Sequence, residues 1–420
     1  MPRGDGPGAS AKEITSAMEW CSVDADDARS IGARARMIRD ARGKSLRVIA
    51  GLAGMSTTQL WRIEHGQYAL DSLSEIAALA NALQIAPSEL VRLPVPAPVN
   101  GPTDRAVEAV RSALLAVGRN RPGGQTVPLD ALRARVTATL SAHYSCRQDH
   151  EVGAALPSLI RDLHTSIAAG RDVARLLELV VLLHSGATPG WLRVAGAPLD
   201  LRAQAVQLAH QAARHRDSPA ALGLATWGGL HVLLSAGEFN LAQIELDSVT
   251  VPTDTPESMQ LAGMLALSRS LVAAADSRPG DVAAPLEVAI ELAERTGEGN
   301  AYWMGFGSTN AGFWRVNVEL EAGDYERAAA IAEGLRPEAH PFRGCQAMYW
   351  VDYGRALARL RGRHEDAVMA LRRGEKISAR RVHRNPFARE VLTGLLTRSR
   401  RDSPAGRVLR RMAYRAGLPV

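Results

Sequence analysis

Apolar residues recur every three or four positions along most of this chain, and no convincing stretch alternates apolar and polar residues. This spacing predicts helices, because a helix brings positions three and four apart onto one face. Glycine, proline and serine interrupt the pattern at intervals that suit helix ends. We therefore predict an all-α protein.

The best-defined stretch is LRVIAGLAGMSTTQLWRIEHG, residues 46–66, which predicts two short helices joined by a tight turn. Ala50 is small enough for the helices to cross closely, and Gly54 supplies the positive φ of the turn. Ser56 is predicted to cap the second helix. Its polar first turn would then be exposed beside free backbone N–H groups, as in a helix that meets DNA bases and phosphates.

Residues 30–93 resemble the lambda Cro/repressor-like, or xenobiotic-response-element (XRE) type, helix-turn-helix family. The resemblance rests on the turn and its apolar contacts, and on an Arg and Glu that pair in the family: Ala50, Gly54, Leu60, Ile63, Arg39 and Glu64. It implies a five-helix DNA-binding domain. The implied DNA-binding residues are Ser45, Arg47, Ser56, Thr57, Thr58, Gln59, Trp61, Arg62 and His65.

Within that set, Ser45, Ser56 and Arg47 would hold phosphates, while Thr57, Thr58 and Arg62 would read bases. The family commonly has a small polar residue where Trp61 stands. Its indole would pack on a thymine methyl or sugar, or would simply cover the helix. The alternative for the whole stretch is a pair of core helices with a glycine turn.

Composition divides the chain into four predicted segments. Residues 1–28 are rich in Gly, Ser, Ala and Asp and are predicted to be a disordered tail. Residues 29–93 form the predicted helix-turn-helix domain. Residues 94–103 include PVPAPVNGP, a proline-rich linker, and residues 104–420 form a second helical domain.

Glycine-containing turns recur in this second domain at Gly237, Gly280, Gly323 and Gly362, spaced 43, 43 and 39 residues apart. Each turn follows one predicted helix and opens another that carries small residues. The pattern resembles the tetratricopeptide repeat (TPR), with a longer period. It implies a TPR-like α-solenoid, whose concave face would act as a sensor and which would also dimerise.

A groove on that solenoid is predicted from residues 300–320, NAYWMGFGSTNAGFWRVNVEL, read as one helix with aromatic and amide side chains on one face. Such side chains suit a peptide or a small molecule. The predicted ligand-binding residues are Trp227, His231, Trp303, Asn310, Trp314, Asn317, Tyr349 and Tyr353. The alternative is a core between repeats, in which the aromatics only pack.

The chain shows no GxxxxGK[ST], HExxH or GxSxG motif, and Cys21, Cys146 and Cys345 lack metal-ligand spacing. We therefore predict no enzyme activity, no metal and no cofactor. No secretory signal and no run of ~18 apolar residues is evident, so we expect a cytoplasmic protein without a membrane partner. Residues 355–420 hold 18 basic and 5 acidic residues, a balance of +13, which would suit nucleic acid, ion pairs with the acidic middle of the chain, or a solvated surface.

The order of the domains resembles that of peptide-sensing regulators of Gram-positive bacteria and of similar regulators in actinobacteria. The sequence therefore predicts a DNA-binding transcription regulator that binds a palindromic operator in double-stranded DNA as a homodimer and responds to a peptide or small-molecule effector. One alternative is a scaffold whose repeats bind a protein partner. Another is an RNA-binding regulator that uses the basic C-terminus.

Overall fold

The computed structural model describes residues 30–91, 102–146, 149–400, 402–418 and 420. The predicted tail and most of the predicted linker lie outside the described residues. Within the described part of the chain, all regular structure is helical and no strand occurs. The prediction of an all-α fold is therefore confirmed.

The N-terminal unit has five helices around a hydrophobic core of its own. Gly32 allows its first helix to approach the third, since a Cβ there would lie 1.9 Å from the carbonyl oxygen of Ile63. The sequence pattern predicts close helix packing at Ala50 but does not indicate the close approach at Gly32. The helices are α1 Ile31–Ala41, α2 Leu46–Leu52, α3 Thr57–Glu64, α4 Leu73–Ala82 and α5 Pro87–Leu90.

The chain continues with less regular helices that wrap around one another. The first of them begins at Pro102, so the last two residues of the predicted linker are helical. A π-helical turn, Leu183–Ala187, runs directly into the helix that follows it. These helices are α6 Pro102–Gly118, α7 Leu129–Ser145, α8 Asp149–Ala168, α9 Val173–Leu182, α10 Thr188–Ala195 and α11 Leu199–Arg216.

Four helical hairpins follow, and their first helices pack side by side in chain order. Gly237 and Gly323 cap the ends of first helices with left-handed φ angles of 76° and 79°. Gly362 lies in the turn after the last of these helices with a φ of 80°, whereas Gly280 lies in a 3-10 turn. The hairpins are α12 Pro219–Ala236 with α13 Phe239–Asp247, α14 Pro256–Ala275 with α15 Ala283–Thr296, α16 Ser308–Ala322 with α17 Tyr325–Glu333, and α18 Arg343–Arg359 with α19 His364–Ile377. Three helices end the chain: α20 Ala379–His383, α21 Pro386–Arg398 and α22 Pro404–Arg415.

The helical array curls until its beginning meets its end. Arg381 on α20 donates to the backbone carbonyl of His143 at 3.0 Å and to the sulfur of Cys146 at 3.0 Å. Tyr144 on α7 stacks on Phe342, with ring centroids 4.3 Å apart. We call the surface around Tyr144, Arg193, His231 and Trp314, which lie near one another, the recess.

Among the described helices, α12 is long and apolar enough to cross a membrane by length and composition alone. Half of it is buried in the protein, and it packs between α11 and α14. A helix that is apolar on all sides and covered by other helices is typical of a protein core.

The prediction of one helix over residues 300–320 is wrong. Tyr302, Trp303 and Gly305 have positive φ angles, so a 3-10 turn, Ala301–Trp303, is followed by irregular backbone. The helix α16 begins only at Ser308, where Glu298 accepts the N–H of Thr309 at 2.8 Å. Trp303 therefore lies on a different element from Trp314.

Candidate DNA-binding surface and docking cluster

The turn between α2 and α3 has the local geometry that the sequence predicts. Gly54 has a φ of 66°. The Ser56 hydroxyl accepts the N–H of Gln59 at 3.0 Å, and the Ser45 hydroxyl accepts the N–H of Val48 at 3.3 Å. Both helices therefore begin on a serine cap from their own segment.

An ion pair fixes α3 against α1. The Arg39 guanidinium donates to both carboxylate oxygens of Glu64, at 2.7 and 2.8 Å. Glu64 is buried, and its hydrogen bonds raise the pKa of Arg39. The predicted pairing of these two residues is present, and its two-point geometry sets the rotation of α3 about its axis.

Most of the predicted DNA-binding side chains are exposed to solvent. Gln59 is half-buried and donates to Glu75 at 2.9 Å. Trp61 is 42% exposed and stacks on His65, with ring centroids 4.2 Å apart. The exposed members are Ser45, Arg47, Ser56, Thr57, Thr58, Trp61, Arg62 and His65.

Comparison with known proteins addresses this unit alone. Residues 30–93 match a family model described as a helix-turn-helix domain. This part of the chain is a helix-turn-helix domain. No match to a curated protein or to a solved structure was found.

The other side of the helix-turn-helix domain is docked on the C-terminal helices. Arg355 of α18 donates to the Asp71 backbone carbonyl at 2.5 Å and lies 3.5 Å from the Asp71 carboxylate. Arg359, one turn later, donates to the Asp71 carboxylate and to the Ala69 carbonyl. Arg355 is also paired with Asp352 at 2.9 Å, so the contact reaches into the fold of the C-terminal region.

Two helices of the domain receive N-terminal contacts from distant glutamates. Glu321 of α16 accepts the N–H of Leu73 at 2.7 Å, at the start of α4. Glu390 of α21 accepts the N–H of Ile31 at 2.6 Å, at the start of α1. The residues next to α4 do not cap it, since Ser72 makes no side-chain cap bond and Asp71 faces arginines.

We call this set the docking cluster: Asp71, Glu321, Asp352, Arg355, Arg359 and Glu390. Three of the carboxylates, those of Asp71, Glu321 and Asp352, face the two guanidinium groups, while Glu390 lies within range of the charge of Asp71. Burial, together with the charge of Asp71, raises the pKa of Glu390 to about 8. No local sequence pattern marks these residues, because they and the backbone N–H groups that they bind lie up to 359 residues apart in the chain.

The predicted ligand-binding residues fall into two groups, of which the first borders the recess. Three tryptophans, Trp227, Trp303 and Trp314, are partly buried against the large hydrophobic core that helices α6 to α16 form. The ring of His231 lies 6.5 Å from that of Trp314, and Trp303 stacks parallel to Tyr144 at 6.2 Å.

The second group is engaged inside the fold. The amide of Asn310 donates to the Met304 carbonyl at 3.3 Å, and that of Asn317 donates to Asp352 at 3.1 Å. The two tyrosines also donate to protein acceptors. The hydroxyl of Tyr349 donates to the Ala332 carbonyl at 2.7 Å, and that of Tyr353 donates to Glu333 at 3.1 Å. The structure therefore does not bring the two tyrosines to the same place as His231.

The basic C-terminus contributes much of its charge to internal contacts. Arg398 donates to the Gln67 carbonyl, and Arg380 donates to Thr103 at 3.2 Å. Arg415 makes two bonds of 2.8 Å to Glu375, which is buried. These arginines hold the helical array together, so the composition of this segment does not by itself indicate a nucleic-acid surface.

Proposed function

We propose that the chain is a cytoplasmic transcription regulator that binds a palindromic operator in double-stranded DNA as a homodimer. Its C-terminal TPR-like region would bind a peptide or small-molecule effector. The observation that carries the proposal is the open face of α3 within the helix-turn-helix domain. Its polar first turn and Arg62 are available to a major groove while the domain stays docked.

On DNA, the first turn of α3 would enter the major groove. Thr57 and Thr58 would contact base edges, and Arg62 would form the strongest base contact because its guanidinium can donate two bonds to one guanine. Arg47 and the N-termini capped by Ser45 and Ser56 would hold phosphates. A single domain reads about half a site, so two domains about 34 Å apart would read the two halves of a palindrome.

A signal from an effector has a direct physical route to the DNA-binding domain. Helix α16 carries Trp314 at the recess and, two turns later, Glu321 at the start of α4. Between them, Asn317 bonds to Asp352, which pairs with Arg355. A ligand that shifts α16 would therefore change how the helix-turn-helix domain is held.

The test begins with mapping of the genomic sites bound by the full-length protein, followed by gel shifts on a bound fragment. Arg62→Ala should weaken specific binding by ~1–3 kcal/mol, since it removes a base contact. Arg133→Ala is the matched control, because Arg133 is an exposed arginine on α7. Equal affinity of Arg62→Ala and the wild type would contradict the assigned role, and sedimentation of the complex would test the dimer.

A further inference from the structure

The recess inside the helical array is lined by side chains that are both accessible and desolvated. Arg193 on α10 keeps solvent-exposed surface, yet burial lowers the pKa of its guanidinium. His231 on α12 is also exposed, yet burial and the charges of Arg193 and Arg202 lower its pKa to about 3. Groups on a convex surface would be solvated, so both lie in a concavity that solvent enters.

Among the residues that the structure describes, no carboxylate acts on the positive charges of Arg193 and Arg202 in this recess. Within the described residues, neither Arg193 nor Arg202 forms an ion pair or a side-chain hydrogen bond, and the buried Nε of Arg202 has no acceptor. Burial and the charge of Arg193 lower the pKa of Arg202 to about 10, which still leaves it protonated at neutral pH. The nearby Arg381 adds a third cation that acts on Arg193.

Like charges brought together in a partly desolvated place repel one another and destabilise the empty state. Most other described guanidinium groups in the interior have carboxylate or carbonyl partners, as Arg355 and Arg39 show. An anion in the recess would supply the missing acceptors, and guanidinium groups bind carboxylates and phosphates well because they can donate two parallel bonds.

Aromatic and neutral side chains also border the recess. The His231 ring is neutral at physiological pH and lies beside Trp314. On the same helix as His231, one turn earlier, Trp227 has a buried indole N–H with no acceptor. A flat apolar ligand body would fit such surroundings.

We propose that the recess binds a small organic anion, with Arg193 and Arg202 holding its carboxylate or phosphate group and Trp314 packing against its apolar body. The inference rests on the sensing role in the proposed function, because it names the chemical class of the effector. It does not depend on DNA binding, and the two are tested separately.

The test measures thermal unfolding and isothermal titration of the full-length protein with benzoate and with phenyl phosphate, at ionic strength kept constant with sodium chloride. Benzyl alcohol is the neutral probe of similar size. At least one anion should bind about tenfold or more tightly than benzyl alcohol, because two charge-assisted hydrogen bonds form. The better of the two anions identifies the group as carboxylate or phosphate.

The variant Arg193→Gln with Arg202→Gln should lose this preference for the anion. Without ligand it should unfold at the same or a higher temperature than the wild type, because it removes unpaired buried charge, and this shows that it folds. Arg133→Gln should keep the preference. The proposal is overturned if neither anion binds the wild type more tightly than benzyl alcohol, or if the double variant binds the anion equally well. Retention of anion binding by Arg62→Ala would separate this site from the DNA-binding role.

Discussion

The two sides of the helix-turn-helix domain are built in opposite ways. On the side proposed to meet DNA, α2 and α3 begin on Ser45 and Ser56, which lie only 11 residues apart in the chain. On the docked side, the N-termini of α1 and α4 are bonded to Glu390 and Glu321, which belong to the C-terminal region. The proposed DNA-binding surface is therefore locally specified, whereas the position of the domain depends on the rest of the chain.

This difference indicates where regulation can act without damaging recognition. A change in the C-terminal helices that moved Glu321 or Arg355 would alter the hold on the domain and leave the turn at Gly54 intact. A regulator needs such a division, because the operator-reading surface must stay the same in both states while its placement changes.

The largest expected effect comes from Arg355→Met, which removes the centre of the docked side. Arg355 is 2% exposed and lies between Asp71, Glu321 and Asp352. Removing it would leave these carboxylates buried without their main cation, which typically costs ~3–5 kcal/mol. Guanidinium-chloride unfolding would measure the loss, and X-ray scattering would show a larger radius of gyration if the domain undocks.

Arg363→Met is the control for this substitution, since Arg363 forms ion pairs with Glu333 and Asp366 on the surface. It should leave stability and size unchanged. If Arg355→Met has the stability and the radius of gyration of the wild type, the docking cluster does not hold the domain in solution. The two sides of the domain would then not differ in the way described above.

A pH-dependent effect should follow from Glu390→Gln. Burial raises the pKa of Glu390 from 4.5 to about 8, and the groups around it are Asp71, Arg389 and the N–H groups of Ile31 and Leu70. An acid with a raised pKa favours the docked state when protonated. Its stabilisation is complete below about pH 4.5 and is lost as the pH rises through about 8.

Glutamine is neutral at every pH and can still accept the N–H of Ile31. Glu390→Gln should therefore be more stable than the wild type by up to about 4 kcal/mol near pH 8, at about 1.4 kcal/mol per pKa unit over the roughly three units from pH 5, and should approach it near pH 5. Melting temperatures between pH 5 and 8 would measure the difference. Glu326→Gln, at an exposed site on α17, provides the control. A difference in melting temperature that does not grow with pH would contradict the prediction that ionisation of Glu390 destabilises the protein.

The same contrast explains what the sequence could predict. The cap at Ser56, the φ of Gly54 and the pairing of Arg39 with Glu64 depend on neighbours within a few helical turns or on a pattern that the family preserves. The acceptor for the N–H of Leu73 lies 248 residues away, and no local pattern marks Glu321 as its partner.

The recess shows the same limit of local reasoning. Aromatic spacing drew attention to Trp227, His231 and Trp314, whose role in ligand binding stays a prediction. The same spacing predicts Trp303 on one helix with Trp314, whereas positive φ angles interrupt the chain between them. Arg193 and Arg202 are two arginines in a chain rich in arginine. Only the curvature of the array, which brings α10, α11 and α12 together, distinguishes them from surface residues.

The smallest expected change in stability comes from Trp61→Ala, which tests whether the proposed DNA-binding surface is independent of the packing of the domain. The indole is exposed, touches His65, and belongs neither to the core of the domain nor to the docking cluster. Its loss should lower the free energy of unfolding by less than about 1 kcal/mol, because little buried surface is removed. If the indole packs on a thymine methyl or on a sugar, the affinity for the operator should fall several-fold, and replacing the contacted thymine with uracil should reduce the difference between variant and wild type. A large loss of stability with unchanged operator affinity would instead show that Trp61 covers the helix. The proposed DNA-binding surface would then depend on side-chain packing as well as on its serine caps.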